Sequence, residues 1–469
     1  MEFLDRTEYI QRLQAALQRT ATQFLVVYGR RRIGKSTLLK HILDTERRDI
    51  YFLSDQTSET HQRALLAKVV AERIEGFDKV IYPDWETLLL ALNRQLPDRL
   101  VLCLDEFPYM VKSCPSLPSV LQKMLNSKQL RFDLIICGSS QQLMQGYVLD
   151  KREPLYGLAD EIIKLTPIPA RYLQQALSCD AVCAVEEFAI WGGIPRYWEL
   201  RSDYTDRADA VRRLLLSPQG ILHEEPLRLL RDDMRDTMQT STLLSIIAEG
   251  ANRISEIAAR AGKEAGALSE PLANLRDLGY IRREIPFGDN AKSSKKGIYR
   301  INDNLLLFYY RFVSPYNSLL ELGRYAIVEE VIRSQFNLFV GDVWESMCRR
   351  YVSGNMVDGV IYKEASRWWG KVYDEEKKEY DMVELDVVAE SLDKKHILIG
   401  ECKWTQQEDP VRLQRRLQRL VPLLPFIKKG QKVHFALFLK HKPTAEHKST
   451  TNECTDEAQI FTPADVLTE

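Results

Sequence analysis

Residues 24–37 read FLVVYGRRRIGKST, an apolar run followed by a basic segment bracketed by glycines. From Gly29 to Ser36 the segment fits the phosphate-loop pattern G-x-x-x-x-G-K-[ST]. In such a loop, backbone N–H groups and the N-terminus of the following helix direct partial positive charge at a phosphate group. The segment therefore predicts a strand over 24–28, a phosphate-binding turn and a helix beginning near Lys35.

The predicted ligand of this loop is the triphosphate group of a nucleotide, with Mg²⁺. We expect Lys35 to reach the β and γ oxygens, and the Ser36 hydroxyl to bind Mg²⁺. The cofactor-binding residues predicted in this segment are Gly29, Arg32, Gly34, Lys35, Ser36 and Thr37. An exposed basic loop face is the alternative interpretation of residues 30–32.

Two further polar segments follow predicted strands of the same domain. Residues 101–106, VLCLDE, end in two carboxylates, of which Asp105 is predicted to hold Mg²⁺ and Glu106 to polarise the attacking water. Residues 135–140, IICGSS, place Ser139 where a hydroxyl would sense the γ-phosphate. A helix N-cap is the alternative role for Ser139.

Length and patterning predict an α/β protein of several domains. At 469 residues the chain is about three times a typical domain. Apolar runs alternate with helical segments up to about residue 165, which is typical of a parallel sheet covered on both faces. The predicted domains are a nucleotide-binding domain at 1–167, a helical lid at 168–235, a third domain at 236–301, a helical linker at 302–330 and a mixed domain at 331–469.

Composition limits the class of protein and of partner. The 65 basic and 66 acidic residues give a net charge of −1, so attraction to nucleic acid would have to come from local patches. No apolar run approaches the ~18 residues that span a bilayer, and the amino terminus lacks a signal-peptide pattern. We therefore expect a cytoplasmic protein that does not enter the membrane, with reduced cysteines.

Residues 236–301 carry three apolar faces at helical spacing, followed by two short strands predicted at 280–284 and 297–301. This order predicts a winged helix-turn-helix. Residues 276–300 hold seven basic and three acidic side chains, a net charge of +4 that suits DNA phosphates. The alternative is a regulatory brace packed on the nucleotide domain.

A second constellation lies near the carboxyl end. Asp386 is expected on a strand next to the one that carries Glu401, and Glu401 and Lys403 share a face by period-two alternation. Two carboxylates and a lysine suit a divalent metal and an activated water at a phosphate, and Glu345 on an upstream helix is a further metal ligand. The predicted catalytic residues of this site are Asp386, Glu401 and Lys403, and its metal ligands Glu345, Asp386 and Glu401.

Local charge differs on the two sides of this constellation. Residues 412–442 contain nine lysines or arginines and no acid, which favours a polyanion, with an ordinary solvated helix face as the alternative. Residues 374–386 carry a net charge of −5 and are predicted to form a surface loop. This acidic loop is expected either to repel DNA until it moves or to be disordered.

The chain resembles the P-loop ATPases of the AAA+/STAND group, often called the archaeal-type ATPase family. The resemblance rests on FxxRxE at 3–8, GRRRxGKS at 29–36, LDEF at 104–107, CGSS at 137–140 and GIPxY at 193–197. It implies a RecA-like parallel sheet with a helical lid, and it places Pro195 against the nucleotide base, with a helix-ending turn as the alternative. Residues 154–158, PLYGL, lack the arginine that many relatives carry after the glycine, so the resemblance implies nucleotide binding more firmly than hydrolysis.

The carboxyl-terminal constellation resembles the PD-(D/E)xK nuclease-like domain that is commonly fused to this ATPase family. Asp386 matches the aspartate of that motif, Glu401 and Lys403 match its E-x-K, and Glu345 matches its helix glutamate, while Leu385 replaces the proline. The resemblance implies a restriction-endonuclease-like α/β domain at 331–469, with a second divalent metal.

These interpretations combine into an ATP-hydrolysing switch coupled to a metal-dependent nuclease-like domain that acts on DNA. A DNA-binding regulator with a silent nuclease-like domain, and a signalling switch whose partner is a protein, are the alternatives. The sequence leaves open whether the protein forms a homo-oligomer.

Overall fold

The computed structural model describes residues 4–43, 49–234, 236–374, 378–443 and 458–468. Phe3, the first position of the FxxRxE segment, lies outside the described residues. Backbone contacts divide the chain into two units. The first contains residues 1–168, 194–199 and 231–235, and the second contains the rest.

The first unit is built on a five-stranded sheet in which every pairing is parallel, in the order β2-β3-β4-β1-β5. Its strands are β1 Phe24–Tyr28, β2 Ile50–Leu53, β3 Leu100–Asp105, β4 Phe132–Gly138 and β5 Glu161–Lys164. Every residue of β1, β3 and β4 is buried, as expected when helices cover both faces of a parallel sheet. The predicted α/β sheet is confirmed, and β1 has the bounds 24–28 that the sequence predicts.

In the described residues, helix α1 Thr7–Leu17 precedes β1 and six further α-helices connect the strands. These six are α2 Lys35–Ile42, α3 Glu59–Ala71, α4 Trp85–Gln95, α5 Phe107–Ser113, α6 Leu117–Ser127 and α7 Gln141–Leu149. Their apolar sides join the central strands in one core that includes Phe24, Trp85 and Phe107. Because β1, β3 and β4 are central and parallel, their carboxyl ends meet at one edge of the sheet, where ligands of such folds bind.

The helices predicted for 168–235 are present. They are α8 Arg171–Leu177, α9 Ala181–Trp191, α10 Pro195–Ser202, α11 Arg207–Val211 and α12 Glu225–Asp233. Helix α9 ends at Trp191 and is followed by the cap residue Gly192, whose φ of +60° suits glycine. Pro195 occupies the first position of α10, where its missing N–H has no helical partner to lose.

Residues 236–301 form three helices and a hairpin. They are α13 Thr237–Ala248, α14 Ile254–Ala261, α15 Ser269–Asp277, β6 Ile281–Glu284 and β7 Ile298–Ile301. The hairpin contacts the carboxyl-terminal part of the chain. The Phe287 N–H donates to the Arg367 carbonyl at 2.8 Å, and the Phe287 ring packs edge-on against Phe426.

A long helix begins the carboxyl-terminal part. After α16 Asn304–Phe308 and α17 Asn317–Glu321, helix α18 runs without a break over Tyr325–Val352. The domain boundary predicted at 330/331 falls inside α18. Glu345 lies in its second half.

The carboxyl-terminal sheet has five strands in the order β10-β11-β12-β13-β14. After the small hairpin β8 Met356–Val357 and β9 Val360–Ile361, the elements are β10 Ser366–Asp374, β11 Glu379–Glu390, β12 His396–Lys403, α19 Pro410–Leu420, β13 Lys432–Leu439, β14 Gln459–Phe461 and α20 Pro463–Val466. Pairings up to β12 are antiparallel and later ones are parallel. Leu413 and Leu417 of α19 pack with Leu437 of β13 in the core.

The acidic segment 374–386 differs from the prediction of a surface loop. Most of it belongs to strand β11, which pairs with β10 from Trp369↔Glu384 to Asp374↔Glu379. Residues 375–377 of this segment lie outside the described residues. The strands form because apolar positions such as Val383 and Leu385 alternate with the acids and enter the core.

Within the described ranges, no helix combines the length and apolar character needed to cross a bilayer. The cysteines of those ranges are free, and five of them, Cys103, Cys114, Cys137, Cys348 and Cys402, are buried.

Candidate functional site

The turn between β1 and α2 has a backbone that only certain residues tolerate. A Cβ on Gly29 would lie 2.9 Å from the Leu165 carbonyl oxygen, so the close approach of the next chain segment requires glycine. Gly34 has a φ of +94° and Arg32 a φ of +66°, both in the left-handed region. The turn is thus curled, as the phosphate-loop pattern predicts.

Lys35 and Ser36 open helix α2 directly after this turn. The buried Lys35 ammonium donates to the carbonyls of Gly29 at 3.0 Å and Arg30 at 3.1 Å, so its charge lies within the curl of the loop. The Ser36 hydroxyl donates to Oδ2 of Asp105 at 2.7 Å. Thr37, on the next helical position, is exposed.

Asp105, at the end of β3, is fully buried and accepts hydrogen bonds on both oxygens. Oδ2 receives Ser36 and the Tyr51 hydroxyl, the latter at 2.5 Å, while Oδ1 receives the Glu106 N–H at 2.9 Å. A hydroxyl and a carboxylate at this spacing form the hard-oxygen donor set that Mg²⁺ prefers. The donors present therefore fit Mg²⁺.

Tyr51 was missed by the sequence interpretation. It lies on β2, which pairs with β3 in a register that puts Tyr51 beside Cys103, two residues before Asp105. Burial, followed by the hydrogen bond to Asp105, raises the pKa of Tyr51 well above its ordinary value, so it remains a donor. Only the strand order, which sequence does not show, identifies it as a neighbour of Asp105.

Glu106 is oriented by Ser139. Its φ of +55° is unusual for a residue with a Cβ and turns the chain from β3 into α5. Its Oε2 accepts the Ser139 hydroxyl at 2.9 Å and the Ser139 N–H at 3.2 Å. The alternative role of Ser139 as a helix N-cap is wrong, because Ser140 caps α7.

Residues 194–199 and 231–235 lie in the same unit as the phosphate loop. A Cβ on Gly34 would be 3.9 Å from Cγ of Pro195, so this proline lies beside the loop. Arg30 is buried, with its guanidinium over the Tyr197 ring, and Arg31 pairs with Asp232 at 2.7 Å. An exposed basic face is therefore the wrong interpretation for Arg30.

Arg6 supports the loop from outside. It is buried, and its guanidinium donates to the carbonyls of Thr166 at 2.7 Å and Ile33 at 3.1 Å. These two hydrogen bonds connect Ile33 in the loop with Thr166, which follows β5, and so stabilise the curvature of the loop.

The carboxyl-terminal constellation comes together as its spacing predicts. Strands β11 and β12 are adjacent, and the pairing of Val387 with Gly400 puts Asp386 next to Glu401. Asp386 Oδ2 accepts the Cys402 N–H at 2.9 Å, and Lys403 donates to Glu401 Oε1 at 2.7 Å. Glu401 and Lys403 thus share one face of β12.

Glu345 of α18 belongs to the same electrostatic group. Burial, followed by the charge of Asp386, raises the pKa of Glu345 to about 7. Burial, followed by the charge of Glu401, raises the pKa of Asp386. A cation beside Glu345 and Asp386 would offset the burial and the repulsion that disfavour their charged forms.

Three arginines contact this group: Arg416, which belongs to the basic segment 412–442, and Arg349 and Arg367, which the sequence interpretation missed. Arg416 of α19 donates to Glu401 Oε1 at 2.5 Å. Arg367 and Arg349 approach Glu345 Oε2 to 3.3 and 3.6 Å. Within the described part of the chain, no set of three or more His, Cys, Asp or Glu side chains has the arrangement of a metal site.

Two family descriptions match parts of the chain. Residues 3–174 match an ATPase domain predominantly from Archaea, and residues 309–414 match Archaea bacterial proteins of unknown function. An uncharacterized protein of Methanocaldococcus jannaschii is 29% identical over 419 residues, which cover 87% of this chain and 88% of that protein.

A solved structure is similar in fold. The Walker-type ATPase of Pyrococcus abyssi has a TM-score of 0.51 and 18% identity, over 66% of this chain and 95% of its own. The parallel sheet and the glycine-bracketed turn both lie within residues 3–174, the segment that matches the ATPase domain family.

Proposed function

We propose that this protein is an ATP-driven switch that controls a metal-dependent nuclease-like domain acting on DNA. In this proposal the ATPase domain covers residues 1–167, the helical lid 168–235, a winged helix 236–301, a helical linker 302–330 and the nuclease-like domain 331–469.

The nucleotide half of the proposal uses the donors at the carboxyl edge of the parallel sheet. Lys35 would neutralise the β and γ oxygens, and Ser36 and Asp105 would hold Mg²⁺, which would supply charge stabilisation on the transferred phosphate. Glu106, oriented by Ser139, takes the proton of the attacking water. Pro195, beside Gly34, contacts the base. The remaining predicted residues would shape the loop or face the phosphates; they are Gly29, Arg32, Gly34 and Thr37.

The nuclease half uses the carboxylates of α18, β11 and β12. Glu345, Asp386 and Glu401 would hold a divalent cation, which lowers the pKa of a bound water and stabilises charge on a phosphate. Lys403 adds positive charge beside Glu401, where it can neutralise a phosphate oxygen.

The observation that carries this half is the Oε2 atom of Glu345. It is buried and makes no hydrogen bond, although Arg367 and Arg349 lie 3.3 and 3.6 Å from it and buried carboxylate oxygens are normally hydrogen-bonded. A cation beside Asp386 would bind it, and would offset the burial and, after burial, the carboxylate repulsion that raise the pKa of Glu345 and Asp386.

Positive charge near the site supports a polyanionic substrate. Helix α19 carries Arg412, Arg415, Arg416 and Arg419 and no acid, and the segment from 412 to 442 adds five more basic residues. Release of counterions from DNA phosphates would favour binding there. The hairpin β6–β7, with lysines at 292, 295 and 296 in its connecting loop, is the second candidate DNA contact.

The test is cleavage of supercoiled plasmid in Mn²⁺ or Mg²⁺, with ATP, with ADP and without nucleotide. The proposal predicts nicking that depends on nucleotide and is abolished by Asp386→Ala and by Lys403→Ala. Arg213→Ala is the control, because Arg213 pairs with Asp209 on the surface of α11, outside the carboxyl-terminal sheet. Cleavage that survives Asp386→Ala would contradict the assignment.

One observation favours a second candidate function, an ATP-dependent DNA-binding regulator with a silent nuclease-like domain. Glu401 Oε1 already pairs with both Lys403 and Arg416, which compete with a cation for that oxygen. Retention on immobilised DNA, lost in high salt and without cleavage in any metal, would support this alternative. Failure to bind DNA at low salt would instead favour a switch whose partner is a protein.

A further inference from the structure

Two cysteines lie at the turn between α8 and α9. Cys179 directly precedes Asp180, the N-cap residue of α9, and Cys183 lies in the first turn of that helix. The Cys179 N–H donates to the Gln174 carbonyl at 3.2 Å, and the Cys183 N–H donates to Oδ1 of Asp180 at 2.7 Å. These hydrogen bonds hold the backbone at both cysteines.

The two thiols contact each other. A side chain that precedes an N-cap commonly packs on the first turn of the helix, and here the Cys179 thiol hydrogen-bonds with the Cys183 sulfur. Both cysteines are half-buried, whereas the other five cysteines of the described ranges are buried. This pair therefore combines a thiol–thiol contact with access from solvent.

The contact gives the two sulfurs different reactivity. The hydrogen bond from Cys179 lowers the pKa of Cys183, against the burial that would raise it. Arg207 also lowers the pKa of Cys183, while Glu187 and Asp180 oppose this. The same hydrogen bond, followed by burial, raises the pKa of Cys179, which therefore keeps its proton. Because the thiolate is the nucleophilic form of cysteine, Cys183 is the more reactive of the two.

A second thiol–thiol contact in the chain lacks these properties. Cys348 of α18 and Cys402 of β12 also share a hydrogen bond, but both are buried. Burial raises the pKa of both thiols, so they stay protonated and closed to solvent. They provide a matched comparison for the exposed pair within the same molecule.

We propose that Cys179 and Cys183 form a peroxide-sensitive modification site, at which the two thiols become a disulfide that joins the first turn of α9 to the segment before it. This site lies outside the residues assigned to nucleotide and DNA, and it stands or falls independently of the function proposed above. The oxidant that it would take is a hydroperoxide, of which hydrogen peroxide is the smallest.

The reaction balances with hydrogen peroxide as the oxidant. The Cys183 thiolate attacks one peroxide oxygen, the O–O bond breaks, and a sulfenic acid forms, while the hydroxide released takes up the proton that Cys183 had lost. The Cys179 sulfur then attacks the sulfenic sulfur, the S–O bond breaks, and the leaving hydroxide takes the proton of Cys179. The two cysteines lose two hydrogens in total, and the peroxide is reduced to two waters.

The test is mass spectrometry of the full chain after treatment with hydrogen peroxide. The remaining thiols are alkylated in denaturant, and trypsin then releases residues 172–196 as one peptide, in which Cys179 and Cys183 are the only cysteines. We expect this peptide to escape alkylation and to be about 2 Da lighter than its reduced form, since a disulfide lacks the two thiol hydrogens. Asp-N protease cleaves before Asp180, between the two cysteines, and the fragments should stay joined until a reductant is added.

Two serine variants test the roles of the two sulfurs. In Cys179→Ser no second thiol is present, so we expect the sulfenic acid on Cys183 to persist and to be labelled by dimedone, whereas the wild type should show little labelling. In Cys183→Ser we expect Cys179 to be recovered as an alkylated thiol. The wild-type measurement needs no substitution, so the proposal can be judged even if a variant fails to fold.

The outcomes decide both the site and the order of attack. Fragments joined by a reducible bond, with Cys348 and Cys402 still recovered as alkylated thiols, would support the proposal. Recovery of Cys179 and Cys183 as alkylated thiols after peroxide would overturn it, as would oxygen added to Cys183 with no bond to Cys179. Oxidation of the buried pair before the exposed pair would also overturn it, because access to solvent would then not determine which thiols react. An unlabelled Cys183 in Cys179→Ser would contradict its role as the attacking thiolate.

Discussion

Ser139 donates both its backbone N–H and its hydroxyl to a single oxygen of Glu106. The two residues directly follow neighbouring strands, β3 and β4, so their contact depends on the strand order of the parallel sheet. The Glu106 carboxylate is therefore already oriented at the edge of the sheet where Lys35 and Asp105 lie.

This orientation predicts that Glu106 acts in hydrolysis and not in nucleotide binding. Glu106→Gln keeps the size of the side chain and an acceptor for Ser139 but removes the base. We expect ATP hydrolysis to fall by about 100-fold or more, with ATP affinity nearly unchanged. Phosphate release and titration with a fluorescent ATP analogue measure the two effects, and equal losses in both would contradict the assigned role.

The bond from Tyr51 to Asp105 predicts a change in Mg²⁺ dependence. Tyr51→Phe removes one donor from Asp105 Oδ2 and keeps the ring. We expect the Mg²⁺ concentration that half-saturates ATP binding to rise by about tenfold, because the ligand loses a group that orients it. Tyr82→Phe, which removes a hydroxyl bonded to the Phe77 carbonyl, is the control and should leave Mg²⁺ dependence unchanged.

Arg6 connects the amino-terminal segment with the phosphate loop. Arg6→Ala leaves the Ile33 and Thr166 carbonyls without a charged donor, so we expect a loss of about 1–3 kcal/mol in the free energy of unfolding, together with weaker ATP binding. Thermal unfolding and ATP titration measure both. Arg12→Ala, which breaks an exposed pair with Glu161, should change neither by much. Unchanged ATP affinity in Arg6→Ala would show that the loop does not depend on this anchor.

The ion pairs of Glu284 predict that the free energy of unfolding depends on pH. Burial disfavours its charged form, but Arg282, Arg349 and Arg300 outweigh burial and lower the pKa of Glu284 to about 2, from an ordinary value of 4.5. A lowered carboxyl pKa stabilises the fold above the unfolded pKa, and this stabilisation is lost as the pH falls from about 4.5 toward 2. The full pKa shift corresponds to a stabilisation of the fold on the order of 3 kcal/mol.

We therefore expect the destabilisation caused by Glu284→Gln to be about 1 kcal/mol smaller at pH 4 than at pH 7. Urea unfolding followed by tryptophan fluorescence at both pH values measures the difference. Asp277→Asn, which breaks an exposed pair with Arg276, should show little effect at either pH. A Glu284→Gln deficit that grows on acidification would contradict the sign.

Local patterns were enough to predict the phosphate loop, the strands of the first sheet and the pairing of Asp386 with Glu401. Each depends on features close in sequence: a glycine-bracketed turn after an apolar run, or period-two alternation on one strand. The acidic segment 374–386 was wrongly predicted as a loop, because its apolar residues favour a strand only through the core into which they pack.

The sequence by itself determined which segments form the nucleotide loop and which residue types supply phosphate and metal chemistry, since these follow from local spacing. Only the tertiary structure decided that Tyr51 donates to Asp105, and that Ser139 donates its hydroxyl to Glu106 and does not cap a helix. It also decided that Glu284 of the hairpin shares two arginines with Glu345. The bonds of Tyr51 with Asp105 and of Ser139 with Glu106, and the ion pairs of Glu284 with its two arginines, join residues 33 to 83 positions apart along the chain. Their energies come from burial and from shared charges, and neither quantity exists until the chain has folded.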